Sequence, residues 1–490
     1  MSALEKDLHS IQEARWMAQQ AFEAQRLWAN ATQQQVDRVC EAMAQAAFLG
    51  AERLGRMAAE ETGFGVPEHK KIKNEFASKY IWESIKDIKT VGVVRYNEED
   101  RIYEIAWPMG VVAALTPSTN PTSTVMNKVL ISVKARNAIV TSPHPAAVKC
   151  SVETTRLMAE AAENAGAPPH LVNCLTNITL PGTHELLSHR LTAVILATGG
   201  SEMVHIAHSM GKPAYGVGPG NVPVYVDRSA DLEKAARYIV ASKAFDYSVI
   251  CATEQAVVAD RPIAARLRFL MEGEGAHFVS ESQAHALRKL LFHPDGSINT
   301  DTVGKSPQYL SAMAGIQVPP HARILVTQLN KVGKDEPLSR EKMTTVLGWY
   351  EAEGWEAGCE RCIELINFGG KGHSLIIHAT DEKVVMAFGL EKPVFRIGVN
   401  TMGTLGMIGL TTNILPSLTL GAGAIGGSIT GDNVSVYHLF NIKRLAYETS
   451  RPPEMAMRPG TTPAGPIYAP HPGEIQAIVE EVAREILRTT

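Results

Sequence analysis

The strongest constraint in this sequence is an alternation of short apolar runs with helical stretches between residues 110 and 227. Runs rich in Val, Ile, Leu and Ala recur at 110–115, 138–141, 171–175, 192–197 and 222–226. Helical spacing fills 125–135, 146–166 and 201–210 between them. Strands separated by a helix do not close as hairpins. The crossover makes them parallel and puts helices on the faces of the sheet, so the fold class expected is α/β.

A second block of the same kind follows a helical stretch at 231–245, with strand candidates at 248–258, 323–328, 344–349, 374–377 and 394–399. Ahead of both blocks, the first 60 residues carry Leu, Ile, Ala and Met every three or four positions and no proline, the pattern of amphipathic helix, which Gly63 to Pro67 breaks. Alternating runs at 91–96 and 102–107 flank the polar turn Asn97-Glu98-Glu99-Asp100 and read as a hairpin. Residues 398–431 hold nine glycines and read as irregular loop, followed by a strand-like run at 437–447. Seven of the 27 prolines lie between 451 and 472, a stiff extended linker. Beyond it Ile475, Ile478, Val479, Val482 and Ile486 form one apolar stripe at helical spacing.

Composition narrows the function classes. A length of 490 residues suits about two to three domains. The net charge of −4 supplies no basic field for nucleic acid or an anionic membrane surface. No apolar run reaches the length of a bilayer, and the first ten residues lack a signal-peptide pattern. Six cysteines do not make a disulfide framework, and sixteen histidines include no HExxH pair. The expectation is a soluble cytoplasmic enzyme without metal, nucleic-acid or membrane partners.

Among the cysteines, Cys359 and Cys362 form a CxxC inside a helical run at 356–368, without a second CxxC or a histidine pair at zinc spacing. Cys40, Cys150 and Cys174 sit among apolar or helical neighbours and read as buried small residues. Cys251 differs. It lies in Asp246-Tyr247-Ser248-Val249-Ile250-Cys251-Ala252-Thr253, where a helix gives way to a strand through small and polar residues, a setting that offers a nucleophile access and donors. Thr198-Gly199-Gly200 follows a strand and opens a helix. It reads either as a pyrophosphate cradle or as a tight strand-to-helix turn. Gly216-Val217-Gly218-Pro219-Gly220-Asn221 leads into a strand rather than a helix and fails the context of a dinucleotide fingerprint. Thr116-Pro117-Ser118-Thr119-Asn120-Pro121 ends a strand, either as a capping turn or as an amide presented at the carboxyl edge of a parallel sheet.

In this order, PSTNPTST (117–124), RNAIVTSPHP (136–145), ILATGG (195–200), GKPAYGVGPGNVP (211–223), VICATEQAVV (249–258), EKMTTVL (341–347), GKGHS (370–374) and PSLTLGAGAIGG (416–427) resemble the acylating branch of the aldehyde dehydrogenase superfamily. The resemblance covers about residues 13–447. It implies a Rossmann-type cofactor domain over 1–227, completed by 400–435, and an α/β catalytic domain over 228–399. It also implies oligomerisation strands at 91–107 and 436–450. By the same resemblance Cys251 is the nucleophile that forms a thiohemiacetal and then a thioester, and Asn120 supplies an amide for the oxyanion. Ser142 and His144 lie near the adenosine of NAD or NADP, Thr198, Gly199 and Gly200 near its pyrophosphate, Gly218 also binds the cofactor, and Glu341 holds the nicotinamide ribose.

Hydrolytic relatives carry a glutamate base in a segment that, aligned on Pro223, puts Val217 in its place. Valine cannot take a proton from water, so the resemblance implies transfer to the thiol of coenzyme A. His373 stands where acylating relatives have a histidine, for thiol deprotonation or CoA placement, or is simply a polar residue at a strand start. The small, Thr-rich loop 402–413 suits a short aldehyde such as acetaldehyde and would also accept a sulfonate, as in sulfoacetaldehyde; propionaldehyde is a further alternative. A homodimer or larger homo-oligomer is implied. The linker and apolar helix over 451–490 read either as a peptide directing the enzyme into a bacterial microcompartment shell or as a helix docking on a neighbouring subunit.

Overall fold

A computed structural model describes residues 3–450 together with positions 478, 481 and 482, so the expected linker, and the expected terminal helix apart from those three positions, lie outside the described residues. The amphipathic N-terminal stretch forms three helices, Ala3–Trp28, Gln33–Leu49 and Ala51–Thr62. Thr32 starts the second with a reciprocal capping box to Gln35, and Gly63 ends the third in the left-handed region at φ 67°.

The first block is a five-stranded parallel sheet in the order Val172–Cys174, Ala138–Pro143, Val111–Thr116, Thr192–Thr198, Ala214–Val217. Its chain starts at the central strand Val111–Thr116, winds outward one way, then crosses back to Thr192–Thr198. That reversal is a topological switch point, where the loops after two adjacent strands diverge and leave a crevice. Thr116 and Thr198 end those two strands.

The second block is a seven-stranded parallel sheet: Ala276–Phe278, Ile324–Gln328, Val346–Ala352, Glu254–Asp260, Val222–Val226, Leu375–His378, Ile397–Val399. Here the expectation needs correction. Val222–Val226 pairs with Glu254–Asp260 and Leu375–His378, so it belongs to this sheet and not to a domain ending at 227. The strand that closes the first sheet is instead Ala214–Val217, hidden from a periodicity reading by its glycine and its four-residue length. The strand expected from 248 begins only at Glu254, because Asp246, Tyr247 and Ser248 take left-handed backbone (φ 47°, 50° and 68°) and cannot join a ladder.

The hairpin Val93–Asn97 and Ile102–Pro108 is joined by Phe440–Ala446 into a three-stranded antiparallel sheet. The expected run at 437–447 is shortened because Val436–His438 forms a single 3₁₀ turn. Asn137 fastens this sheet to the first block. Its Oδ1 accepts from the Met109 and Gly110 N–H groups at 2.8 and 2.9 Å, and its Nδ2 donates to Leu439 O at 2.7 Å. Arg136 beside it, buried, donates to the carbonyls of Ala29, Thr90 and Ala106. The RNAIV segment is thus a structural clamp that satisfies backbone groups from three separate stretches of chain.

Candidate active site

At the switch point the structure opens a cavity of about 770 Å³. Cys251, Asn120, His144, Glu341 and Gly218 line it, and so does the turn Thr198-Gly199-Gly200. Residues far apart in sequence meet here because both parallel sheets turn their loops toward one crevice. Of the six cysteines, five are buried and Cys251 is half-buried.

The loop that presents Cys251 is held in an unusual shape. Three consecutive non-glycine residues in the left-handed region cost about 1 kcal/mol or more each, and such strain persists only where neighbours over-determine it. Asp246 shows how. It is fully buried, its Oδ1 accepts from Val66 N–H at 2.7 Å, and its own N–H donates to His69 Nδ1 at 2.8 Å. Lys70 and Lys73, both buried, donate to its Oδ2. Lys243, also buried, donates to Ser248 Oγ and Gln255 Oε1.

Burial, with Glu341 nearby, pushes the Cys251 thiol up to about 12; Arg396 and the main-chain N–H groups of Cys251 and Ala252 act the other way. The resting group is therefore a thiol, with donors already placed around its sulfur. Asn120 lies beside the same loop. Its Nδ2 donates to Val249 O at 3.0 Å, and its Oδ1 accepts from Lys73 Nζ at 2.5 Å. The second N–H of the amide meets the neighbouring Thr119 Oγ1 at 3.2 Å, a hydroxyl that a ligand would displace.

The other wall suits a dinucleotide. The helix Ser201–His208 has no side-chain cap at Gly200, so its first N–H groups are open to a ligand. Thr198 Oγ1 is buried without a partner. A Cβ placed on Gly200 or Gly218 would meet no protein atom within 4 Å, which leaves the space above the turn free for phosphates. Glu341 accepts from Gly220 N–H at 3.2 Å, and burial lifts its carboxyl to about 7. His144 Nδ1 accepts from Ala146 N–H at 3.1 Å, and burial lowers its pKa.

Two expected residues do not face the cavity. Ser142 sits inside the strand Ala138–Pro143, buried, sharing a 2.9 Å hydrogen bond with Thr183 Oγ1; the side chain that reaches the cavity is two places on, at His144. His373 is 1% exposed and lies behind Gly220, on the same side as the Cys251 carbonyl. Its Nδ1 is 3.1 Å from Ser374 Oγ, and its Nε2 has no partner. Burial and then Arg396 push it down to about 3, so it is a neutral imidazole.

Val217 does line the cavity, at the end of its strand. Of the loop 402–413 only Ile408 does, while Thr411 pairs with Thr401 and Thr412 donates to Gly406 O. The expectation that this loop offers threonines to a polar substrate is thus corrected: with Leu418 and Leu420 the wall there is apolar. Cys359 and Cys362 are buried on the helix Gly354–Phe368, and no group of three or more metal-binding side chains occurs among the described residues. Lys70 and Lys73 escaped the sequence reading. With Asn74 and Ala77 they form an i, i+3, i+4, i+7 face that is buried although mostly polar, and polar spacing of that kind reads in a sequence as a solvated face.

The aldehyde dehydrogenase family model matches residues 5–272. Aldehyde-alcohol dehydrogenase 2 of Entamoeba histolytica is 40% identical over 424 residues, which is 85% of this chain and 49% of that protein, so the chain spans about half the length of that relative. The crystal structure of an acetylating aldehyde dehydrogenase from Geobacillus thermoglucosidasius superposes with a TM-score of 0.90 at 50% identity, over 91% of this chain and 99% of the other. A propionaldehyde dehydrogenase from the fucose-utilisation microcompartment of Clostridium phytofermentans superposes with a TM-score of 0.81 at 28% identity, over 88% and 97%. The chain belongs to the aldehyde dehydrogenase family.

Proposed function

We propose that this chain oxidises a short-chain aldehyde, acetaldehyde first, with NAD(P)⁺ and passes the acyl group to coenzyme A. The observation that carries the proposal is the company Cys251 keeps: it shares one cavity with an uncapped helix start and with Val217. In this reading the sulfur adds to the aldehyde carbonyl, and the oxyanion is held by the Cys251 N–H and by the Asn120 N–H that otherwise meets Thr119 Oγ1. NAD(P)⁺, when bound, supplies the hydride acceptor. Thr198, Gly199, Gly200 and Gly218 are the groups that would hold its phosphates, His144 would lie toward its adenosine, and Glu341 would accept from the ribose hydroxyls. Val217 cannot activate water, so the acyl group on Cys251 awaits the more acidic thiol of coenzyme A. Val217 thus disfavours a hydrolytic dehydrogenase making the free acid. The apolar surface of Ile408, Leu418 and Leu420 favours acetaldehyde or propionaldehyde over sulfoacetaldehyde.

Intact mass spectrometry tests this. Aldehyde and NAD(P)⁺ without CoA should leave one acyl group on the protein, absent in Cys251→Ala, and added CoA should remove it. Spontaneous loss of that group within one turnover time would overturn the proposal.

We infer also that the three-stranded sheet is an arm in a dimer or larger homo-oligomer, since its two outer strands leave one edge each without a ladder among the described residues. Residues 451–490 serve either entry into a bacterial microcompartment, the setting of the relative from Clostridium phytofermentans, or docking on a neighbouring subunit. Deleting them and measuring size in solution decides: loss of the oligomer supports docking, an unchanged oligomer supports targeting. In both cases the working compartment is the cytoplasm or a shell within it.

A further inference from the structure

We propose that Lys73, anchored by Asp246, is a positioning residue that fixes the Asn120 carboxamide with its NH₂ side toward the cysteine loop. The inference rests on Asn120 being an oxyanion donor, as proposed above, and concerns what makes it one.

An asparagine amide is free to flip. Which end faces the reacting carbonyl is decided by its other partners. On one side of Asn120 stands the Lys73 ammonium, a group with donors only, so the atom it meets at 2.5 Å must be the carbonyl oxygen. On the other side stands the carbonyl of Val249, an acceptor only, so the atom it meets at 3.0 Å must be nitrogen. The two contacts agree, and Val249 is two residues from Cys251. Flipping the amide would bring oxygen to oxygen and NH₂ to ammonium.

Lys73 is itself held. It lies on the helix Pro67–Glu75 and pairs with Asp246, which also receives Lys70 at 3.3 Å and the Val66 N–H at 2.7 Å. Lys70 reaches further, to Thr119 O at 3.1 Å, and so ties the residue before Asn120 to the same carboxylate. Gly65 (φ 74°) is required by this packing, since a Cβ there would fall 2.0 Å from Asp246 Oδ1. One carboxylate thus links the two halves of the oxyanion site: Asp246 belongs to the loop that carries Cys251, and its lysines hold the segment that carries Asn120. In its ammonium form Lys73 sets positive charge against the Asn120 carbonyl oxygen. It polarises the amide so that its N–H bonds become stronger donors. Burial, with Lys70 alongside, lowers the Lys73 pKa to about 7 against the pull of Asp246, so the donor-only ammonium that fixes the amide prevails below neutrality.

An amide free to rotate loses part of what a missing oxyanion donor loses, which is about 10²–10³ in kcat. The variant Lys73→Met should therefore lower kcat by about 10–10²-fold, with KM for aldehyde and NAD⁺ and the alkylation rate of Cys251 by iodoacetamide near wild type. Lys73→Arg, which keeps a donor-only cation, should recover part of the loss. Wild-type kcat in Lys73→Met would overturn the inference. A change in which kcat, both KM values and alkylation move together would overturn it too, because that marks a prop for the whole loop. If Lys73→Met does not fold, Lys73→Gln carries the same test, because a side chain that both donates and accepts no longer fixes which end of Asn120 it meets, with the same signature expected at smaller size. Asn120→Ala is the control: full activity there refutes the oxyanion reading itself, whereas an inactive Asn120→Ala beside a fully active Lys73→Met refutes only the role of Lys73.

Discussion

Replacing Gly220 by alanine tests how tightly the cysteine loop is placed. Gly220 has ordinary backbone, so alanine meets no conformational barrier; the obstacle is space. A Cβ built there falls 2.3 Å from the carbonyl oxygen of Cys251 and 3.0 Å from His373 Nδ1. Ordinary contact starts at 3.4 Å, so the cysteine carbonyl must recede by about 1 Å. It is backbone and has no rotamer to change, so the displacement passes to the Cys251 N–H and sulfur. A misplacement of about 1 Å costs about 10²-fold in rate, and overpacking of this kind costs about 1–3 kcal/mol in stability. The expected result is a kcat about 100-fold lower, an altered rate of Cys251 alkylation and a modest fall in melting temperature. Steady-state NAD(P)H formation, iodoacetamide kinetics and calorimetry measure the three. A kcat within about threefold of wild type with unchanged alkylation would refute the reasoning, because the loop would then tolerate a shift that the geometry makes unavoidable.

Two further outcomes are expected. Glu341→Gln removes a carboxyl that burial raises to about 7 from its ordinary 4.5. A raised folded pKa contributes stability that is fully present below about pH 4.5 and lost as pH rises through about 7. The variant should therefore match the wild type in acid and exceed it above neutrality by up to about 3 kcal/mol in urea unfolding, while its KM for NAD⁺ rises. Equal stability at all pH values would contradict this. Asn137→Ala leaves two N–H groups and one carbonyl without partners where the strand arm meets the first sheet, and should cost about 3 kcal/mol without altering KM. A loss below about 1 kcal/mol would show that these groups find water instead.

What the sequence made legible follows from locality. The strands around Val111–Thr116 and Thr192–Thr198 are continuous apolar runs, because buried parallel strands have no polar face, and both emerged within a residue or two. Ala214–Val217 did not, since four residues containing a glycine carry no period, and the domain boundary moved with it. The position of Cys251 at a helix-to-strand change was readable. The left-handed run at Asp246–Ser248 was not, because no glycine announces it and what enforces it is a helix some 170 positions earlier. Ser142 and His144 illustrate side-chain direction: two places apart, one is turned into the protein and the other into the cavity. For His373 the residue type suggested chemistry, but the fold puts it behind the cysteine carbonyl.

The central claim is that an acyl group on Cys251 leaves to coenzyme A and not to water. The direct measurement is NAD(P)H formed per enzyme from acetaldehyde and other short aldehydes, with each of NAD⁺ and NADP⁺, in the presence and absence of CoA. The account predicts about one equivalent per subunit without CoA and continuous turnover once CoA is added. Sustained turnover without CoA, with free acid as product, would contradict it.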